Sequence, residues 1–415
     1  LFGIDEQTST DIWTSIERYP WTKDETVLVE LNSKNHQITE TNTRSFLQLS
    51  HATNPDTKLG YFRLELPISL LLMPSNNCTR DCIYCYAERQ TIPRREHLTV
   101  DRWLELIDEA ALNGIDIISF SGGDPLTYLG IFDLVERLCQ WETAFVLPTK
   151  KLVTREEAER LASFNPKHGQ FQVSIDGVNA SIVDQMMGVN GSSVELFQTL
   201  ENLLRAGLYV RVNMVVTPFN LGQVEELATI LYSMGVKRMN ITNYGRSFYR
   251  HQNSLFLSVD QIAQLQERIN RLKQELEWEE LISNVSIIDY SMNADRSNQE
   301  DNWKSRAHCS AGRSCMTIAA NGNVILCEQA PQYPPFILGN VRESSLTETW
   351  NSLGSREIIV PPKELFQGTA CYDCSEFEEC VYGPGYCARD SYFVYSSPFH
   401  PSPNCPKAPP GWRMG

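Results

Sequence analysis

The run Ile68-Ser-Leu-Leu-Leu-Met73, which leads through Pro74-Ser-Asn-Asn77 into Cys78-Thr-Arg-Asp-Cys82-Ile-Tyr-Cys85, decides how this chain folds. A short apolar stretch closed by a proline reads as a buried strand. The loop after it gathers three thiols on one short segment. Three soft thiolates can hold three corners of a four-iron, four-sulfur cube and leave the fourth iron open to another ligand. The bland alternative for such spacing is a zinc knuckle.

Outward from this strand, strand-like runs at 115–120, 144–149, 171–175, 209–216 and 236–241 alternate with helical patterns at 100–112, 131–141, 155–164, 194–206 and 221–234. Alternating units of this length predict a parallel α/β sheet of about six strands, open or curled into a partial barrel. Chemistry in such sheets sits at the carboxyl ends of the strands. The cysteine loop follows the first strand, and Ser121-Gly122-Gly123-Asp124-Pro125 follows the second. On the fourth, period-two alternation places Gln172, Ser174 and Asp176 on one face and Phe171, Val173 and Ile175 on the other. Three polar residues on one strand face predict a site, and Asn213 on the next strand faces the same way. Lys150, just past the third strand, has two readings, a cation that meets a ligand carboxylate or, with Lys151, a solvated loop, and Cys139 reads as a small core residue of an amphipathic helix.

The CxxxCxxC spacing behind a first strand resembles the radical S-adenosylmethionine (SAM) superfamily over residues 68–250. That resemblance implies a partial (β/α)6 TIM-like barrel in which Cys78, Cys82 and Cys85 carry a 4Fe-4S cluster and SAM chelates its open iron. It further implies that Tyr84 contacts adenine and that Gln172, Ser174, Asp176 and Asn213 bind SAM. Gly122 and Gly123 would let the backbone approach a ligand closely. Asp124 would accept from the methionine ammonium, at a position where the family more often has Glu. A turn and helix cap is the structural alternative for Asp124.

Eight of the twelve cysteines lie in 305–415, a segment rich in Gly and Pro with little periodic pattern. The order Cys309, Gly322, Cys327, Cys371-x-x-Cys374, Cys380, Cys387, Cys405 resembles the SPASM domain, which carries two auxiliary iron-sulfur clusters. By that resemblance Cys309, Cys315, Cys327 and Cys387 bind the nearer cluster and Cys371, Cys374, Cys380 and Cys405 the distal one. The stretch 381–386 is longer than the family's usual spacing. Glu328 stands beside Cys327 where sulfatase-maturing relatives carry an Asp thought to deprotonate the substrate, and a carboxylate beside a cluster can act as a base.

The formal charge of −15 over 415 residues argues against nucleic acid. No apolar run approaches the length of a membrane span, and the first residues lack a secretory signal, so the expected location is cytoplasmic. The domain reading is an N-terminal segment 1–65 of unassigned role, a barrel at 66–250, a helical bridge at 251–304 and a loop-rich SPASM domain at 305–415. Three 4Fe-4S clusters and SAM are the implied cofactors. The expected reaction is hydrogen abstraction from a ribosomally synthesised precursor peptide, ending in a crosslink, an epimer or backbone excision. A formylglycine-forming dehydrogenase of the sulfatase-maturing type is the second reading, and a non-catalytic zinc scaffold the third. Residues 1–65 look too short for a leader-binding domain, so a separate leader-recognition protein is expected beside an external electron donor.

Overall fold

The computed structural model describes residues 66–87, 92–245, 247–285, 309–352 and 356–409, with Glu300, Trp303, Lys304 and Arg306 between them. The expected strand at 27–31 and helix at 43–51 lie outside the described residues. Seven parallel strands run in chain order: β1 (Ser69–Leu72), β2 (Ile117–Phe120), β3 (Ala144–Thr149), β4 (Gly169–Ser174), β5 (Val210–Val216), β6 (Arg238–Asn243) and β7 (Leu281–Ser283). Their connections carry α1 (Val100–Leu112), α2 (Ile131–Gln140), α3 (Arg155–Ser163), α4 (Ala180–Met187), α5 (Ser192–Arg205), α6 (Val224–Ser233) and α7 (Val259–Glu275). Among the described residues, no helix is long and apolar enough to cross a membrane.

Local chemistry explains the helix starts. Thr99 caps α1 by accepting from the Arg102 N–H, while Thr154 with Glu157 and Ser258 with Gln261 form reciprocal capping boxes on α3 and α7. On α1, Trp103, Leu106, Ile107 and Ala110 recur at helical spacing and are buried against the sheet. The strands answer with period two. Phe145 and Leu147 of β3, and Val210, Val212, Met214 and Val216 of β5, face the helices and are buried, while the residues between them are half-buried on the opposite face.

Two features depart from the sequence reading. The segment expected to bridge two domains instead contributes α7 and the seventh strand, which pairs with β6. The cysteine-rich segment also joins the sheet. Its β8 (Cys315–Ile318) pairs in parallel with β1, Ser69 standing opposite Cys315, and β9 (Asn323–Ile325) and β10 (Ile337–Asn340) follow antiparallel. The result is one ten-stranded sheet in the order β10-β9-β8-β1-β2-β3-β4-β5-β6-β7. Strands of three or four residues are too short to print a readable alternation.

Helix α4 was not expected, and it seats the cysteine loop. Asn179 caps its start, and it ends on Gly188 in the left-handed region at φ 68°. The Asp81 and Ile83 N–H groups donate to the Met187 and Met186 carbonyls at 2.8 and 3.1 Å. A Cβ on Gly188 would stand 2.3 Å from the Asp81 carbonyl oxygen, whereas one on Gly235, also at positive φ, would meet nothing. Alanine at either position therefore carries backbone strain of roughly 1–3 kcal/mol, but only Gly188→Ala displaces the loop. Thermal unfolding should give Gly188→Ala the lower midpoint, and iron analysis after anaerobic reconstitution the lower content; equal values for both would exclude the loop contact as their cause.

Candidate functional site

The cysteine loop is held from three sides. Arg80 is buried and its guanidinium reaches Glu195 of α5 at 2.5 Å. Arg250, beyond β6, donates to the Asp81 side chain at 2.5 Å and to the Asp81 carbonyl at 3.0 Å. Cys82 packs its sulfur 3.5 Å from the Met187 sulfur. Burial pushes the Cys82 thiol up to about 12. A thiol so placed keeps its proton unless a metal replaces it.

Gly122 and Gly123 pack closely against the segment that leads into this loop. A Cβ on Gly122, at φ 103°, would lie 2.6 Å from the Ser75 carbonyl oxygen, and one on Gly123 would lie 2.0 Å from that of Asn77. The gap is closed by hydrogen bonds from Gly123 N to Ser75 O at 2.9 Å and from Asp124 N to Asn77 O at 2.7 Å. The two glycines thus bring the end of β2 against the segment that leads into Cys78.

Asp124, expected to accept from a ligand ammonium, is spent within the chain. It is 2% exposed and caps the short 3-10 helix Pro125–Thr127. Its oxygens accept from Leu126 N at 3.1 Å, from the Thr149 hydroxyl at 2.9 Å, and from Lys150 N and Lys151 N at 2.7 and 2.9 Å. Burial holds its carboxyl above the usual range in spite of these donors. One buried carboxylate therefore fastens the ends of β2 and β3 together, and the cap alternative describes it.

Tyr84 and Asp176 take each other. The Tyr84 hydroxyl donates to Asp176 Oδ2 at 2.5 Å, and Val215 N donates to Oδ1 at 3.0 Å. Burial pushes Asp176 up to about 6. The remaining polar residues are differently placed. Ser174 stands opposite Asn213, and Asn213 opposite Asn240, giving one polar row across β4, β5 and β6, with Gln172 two residues below Ser174 on the same face. Gln172, Ser174, Asn213 and Asn240 make no side-chain hydrogen bond to the described residues. Asn240 went unnoticed in the sequence, because only the register identifies it.

Lys150 was also set aside, and the structure turns it inward. Its ammonium lies 5.8 Å from the centre of the Tyr84 ring. Burial acts to lower its pKa, but Cys82, Asp176, Cys78 and Cys85 around it hold it above the ordinary lysine range. The sequence signal was its position at the end of β3, beside the other strand-end motifs.

The late cysteines sort into two groups. Cys309 neighbours Cys315 and Cys327, and Cys327 neighbours Cys387. Cys371 neighbours Cys405, Cys380 and Cys374, and those four line one cavity of about 280 Å³ with Phe366, Phe377 and Tyr386. The long stretch between Cys380 and Cys387 is wrapped around Arg313, whose buried guanidinium donates to the carbonyls of Gly383 at 2.9 Å and Val381 at 2.6 Å. Pro384 O accepts from Cys309 N at 3.0 Å, so this loop ties the two groups together.

Glu328 reaches from the second region into the first. Its Oε2 accepts from the Tyr86 hydroxyl at 2.7 Å and from the Ser121 hydroxyl, which are themselves 3.1 Å apart. Tyr86 adjoins Cys85 and Glu328 adjoins Cys327, so this carboxylate joins the end of the first cysteine loop to the cysteine-rich segment.

Comparison with known proteins agrees with this arrangement. Residues 72–231 match the model of the Radical SAM superfamily, and residues 309–375 that of SPASM, an iron-sulfur cluster-binding domain. The chain is 23% identical over 327 residues to a PqqA peptide cyclase of Granulibacter bethesdensis, covering 76% of this chain and 81% of that one. It is 23% identical over 299 residues to the antilisterial bacteriocin subtilosin biosynthesis protein AlbA of Bacillus subtilis, covering 71% of this chain and 62% of AlbA. Streptococcus suis SuiB bound to precursor peptide SuiA superposes with a TM-score of 0.68 at 17% identity, covering 97% of this chain and 92% of that one. The superposition shows a shared fold.

The role found for Asp124 is open to a direct check. Asn in its place turns one acceptor into a donor that faces backbone N–H groups, at a cost of about 1–3 kcal/mol. The metal-free Asp124→Asn chain should unfold at a lower temperature than the parent. An unchanged metal-free midpoint would return Asp124 to a purely ligand-binding role.

Proposed function

We propose that this chain, which carries a radical SAM domain followed by a SPASM domain and so binds 4Fe-4S clusters and SAM, modifies a ribosomally synthesised precursor peptide. The observation that carries the reading is the placement of Glu328 at the join of the first cysteine loop and the cysteine-rich segment, where a substrate held at the triad meets a carboxylate. Relatives with peptide substrates in their names, the PqqA peptide cyclase above all, support the substrate class.

Cys78, Cys82 and Cys85 hold a cluster with one open iron in this reading, Cys309, Cys315, Cys327 and Cys387 a second, and Cys371, Cys374, Cys380 and Cys405 a third. The fit rests on the chemistry of the donors: soft thiols, buried or half-buried for the most part, four of them around one cavity, while among the described residues no three such groups meet at the spacing of a single metal ion. The chemistry these groups supply when bound is reductive cleavage of SAM to a 5′-deoxyadenosyl radical and abstraction of a substrate hydrogen. An external electron donor starts it.

The chain's own residues do the rest. Gln172, Ser174 and Asn213 offer hydroxyl and amide groups to the ribose and carboxylate of SAM. Lys150 adds a positive charge over Tyr84, and the Tyr84–Asp176 pair closes the wall behind them. Glu328 accepts a proton from the peptide at the stage when an electron leaves it, and Tyr86 and Ser121 hold that carboxylate in place. The expectation of a separate leader-recognition protein rests on 1–65, outside the described residues, and titration of the chain with leader peptide tests it.

Metal analysis comes first. Anaerobic reconstitution should load about twelve irons per chain, and Cys405→Ala should lose about four. Stoichiometric zinc would overturn the enzyme reading. With the peptide encoded beside the gene as substrate, Glu328→Gln should lower product formation about 10²- to 10⁴-fold while 5′-deoxyadenosine still forms. Product formation at the parent rate would remove Glu328 from the chemistry. Fragmentation mass spectrometry of the product separates a crosslink from an epimer, an excised backbone and a formylglycine.

A further inference from the structure

The two late quartets are given different electrostatic surroundings. At the distal one, two cations donate straight to sulfur. Arg306 places Nη2 3.1 Å from Cys380 Sγ and donates from the same nitrogen to Gly385 O at 2.9 Å, and its guanidinium is stacked 3.5 Å from the centre of the Trp303 ring. Lys407 places Nζ 3.3 Å from Cys374 Sγ and is held there by Glu376 at 2.9 Å. Donors of opposite charge on two of four thiols make charge-assisted bonds, stronger than those from neutral groups.

The nearer quartet receives neutral donors instead, the backbone N–H of Gln329 at Cys327 and of Asp390 at Cys387. Its neighbouring cations donate to oxygen and not to sulfur: Arg389 to Gln329 O at 3.0 Å and to the Asp390 carboxylate at 2.6 Å, and Arg313, which stands near both Cys309 and Cys380, to the carbonyls of Gly383 and Val381 at 2.9 and 2.6 Å. Carboxylates stand close by in the chain, Glu328 directly after Cys327 and Asp390 three residues after Cys387.

Reduction adds an electron to a cluster that its thiolates already make negative. Hydrogen bonds and positive charge at the sulfurs favour the reduced form, and nearby carboxylates oppose it. We infer that Arg306 and Lys407 hold a distal cluster at a higher reduction potential than the nearer one, so that an electron shared between the quartets settles on the distal side. This rests on the proposed ligation of a cluster by Cys371, Cys374, Cys380 and Cys405. Arg306 is half-buried and has the shorter contact, so it has the larger effect. The Lys407 side chain is 45% exposed and is screened by salt.

The test is a redox-poised titration of the reconstituted protein followed by electron paramagnetic resonance, with the distal signal identified by its loss in Cys405→Ala. Arg306→Gln should shift the distal reduction equilibrium about tenfold toward the oxidised form, about 59 mV for a one-electron couple, and Arg306→Lys should recover part of it. Lys407→Gln should give a smaller shift in the same direction that fades at high salt, and being at the surface it leaves folding intact. The nearer signal should not move. Unchanged distal midpoints at full iron content, or equal shifts of both signals, would overturn the inference while leaving the three-cluster reading in place. Failure of the parent chain to bind a third cluster would overturn both.

Discussion

Backbone pairing on both edges of Ser69–Leu72 is the constraint on which the rest of the molecule depends. The strand meets β2 on one side and β8 on the other, both in parallel, with Ser69 opposite Ile117 and Cys315 and Leu72 opposite Phe120 and Ile318. Leu70 and Leu72 are 1% and 0% exposed, so a slip of one residue on either edge would exchange them for Ser69 and Leu71. A strand pinned in this way fixes two metal-binding regions at once. It feeds directly into the loop of Cys78, and it sets the register of the strand that begins at Cys315.

Buried charge follows from that arrangement. Bringing the ends of β2 and β3 against the cysteine loop leaves backbone N–H groups at Lys150 and Lys151 facing inward, and Asp124 answers them. Bringing thiols and Asp176 under the strand ends creates a negative pocket, and Lys150 answers that. Gln172, Ser174, Asn213 and Asn240, whose side chains make no hydrogen bond to the described residues, lie in adjoining rows on one face. Unspent hydrogen-bonding capacity gathered on one face is what a polar ligand requires.

What the sequence disclosed follows the range of each interaction. Helix α1 and strand β3 are read to the residue, because capping by Thr99 and a short apolar run from Ala144 to Thr149 are local signals. The triad loop is legible for the same reason. Strands β8 to β10 and helix α4 were missed, since three- to eight-residue elements in Gly- and Cys-rich sequence carry too few periods to detect. The full set of donors on Asp124 was hidden because three of the four lie 25 to 27 residues away on another strand end. Lys150 kept the reading of a solvated lysine for the matching reason: the charges that draw it inward belong to β4 and to the first loop. Glu328 was singled out from its neighbour Cys327, but its partners Tyr86 and Ser121 are more than two hundred residues distant and only the fold supplies them.

The two halves of the molecule also differ in what holds them together. The barrel has a continuous apolar core from Leu70 through Leu281, into which Met316 and Ile318 of β8, Val324 of β9 and Leu338 of β10 are packed. Around the distal quartet the fully buried apolar set shrinks to Phe366, Phe377 and Val381, beside a cavity lined by four thiols. So small a core offsets little conformational entropy. Arg313 and Arg306 compensate in part by gathering loop carbonyls, but a guanidinium that binds carbonyls brings positive charge into a half-buried loop and needs negative charge nearby. Under the proposed ligation, thiolates supply that charge. The cations that shape the loops and the thiolates that hold a cluster then form two parts of one stabilising arrangement, by which the order of this region is linked to metal in a way that the barrel's is not.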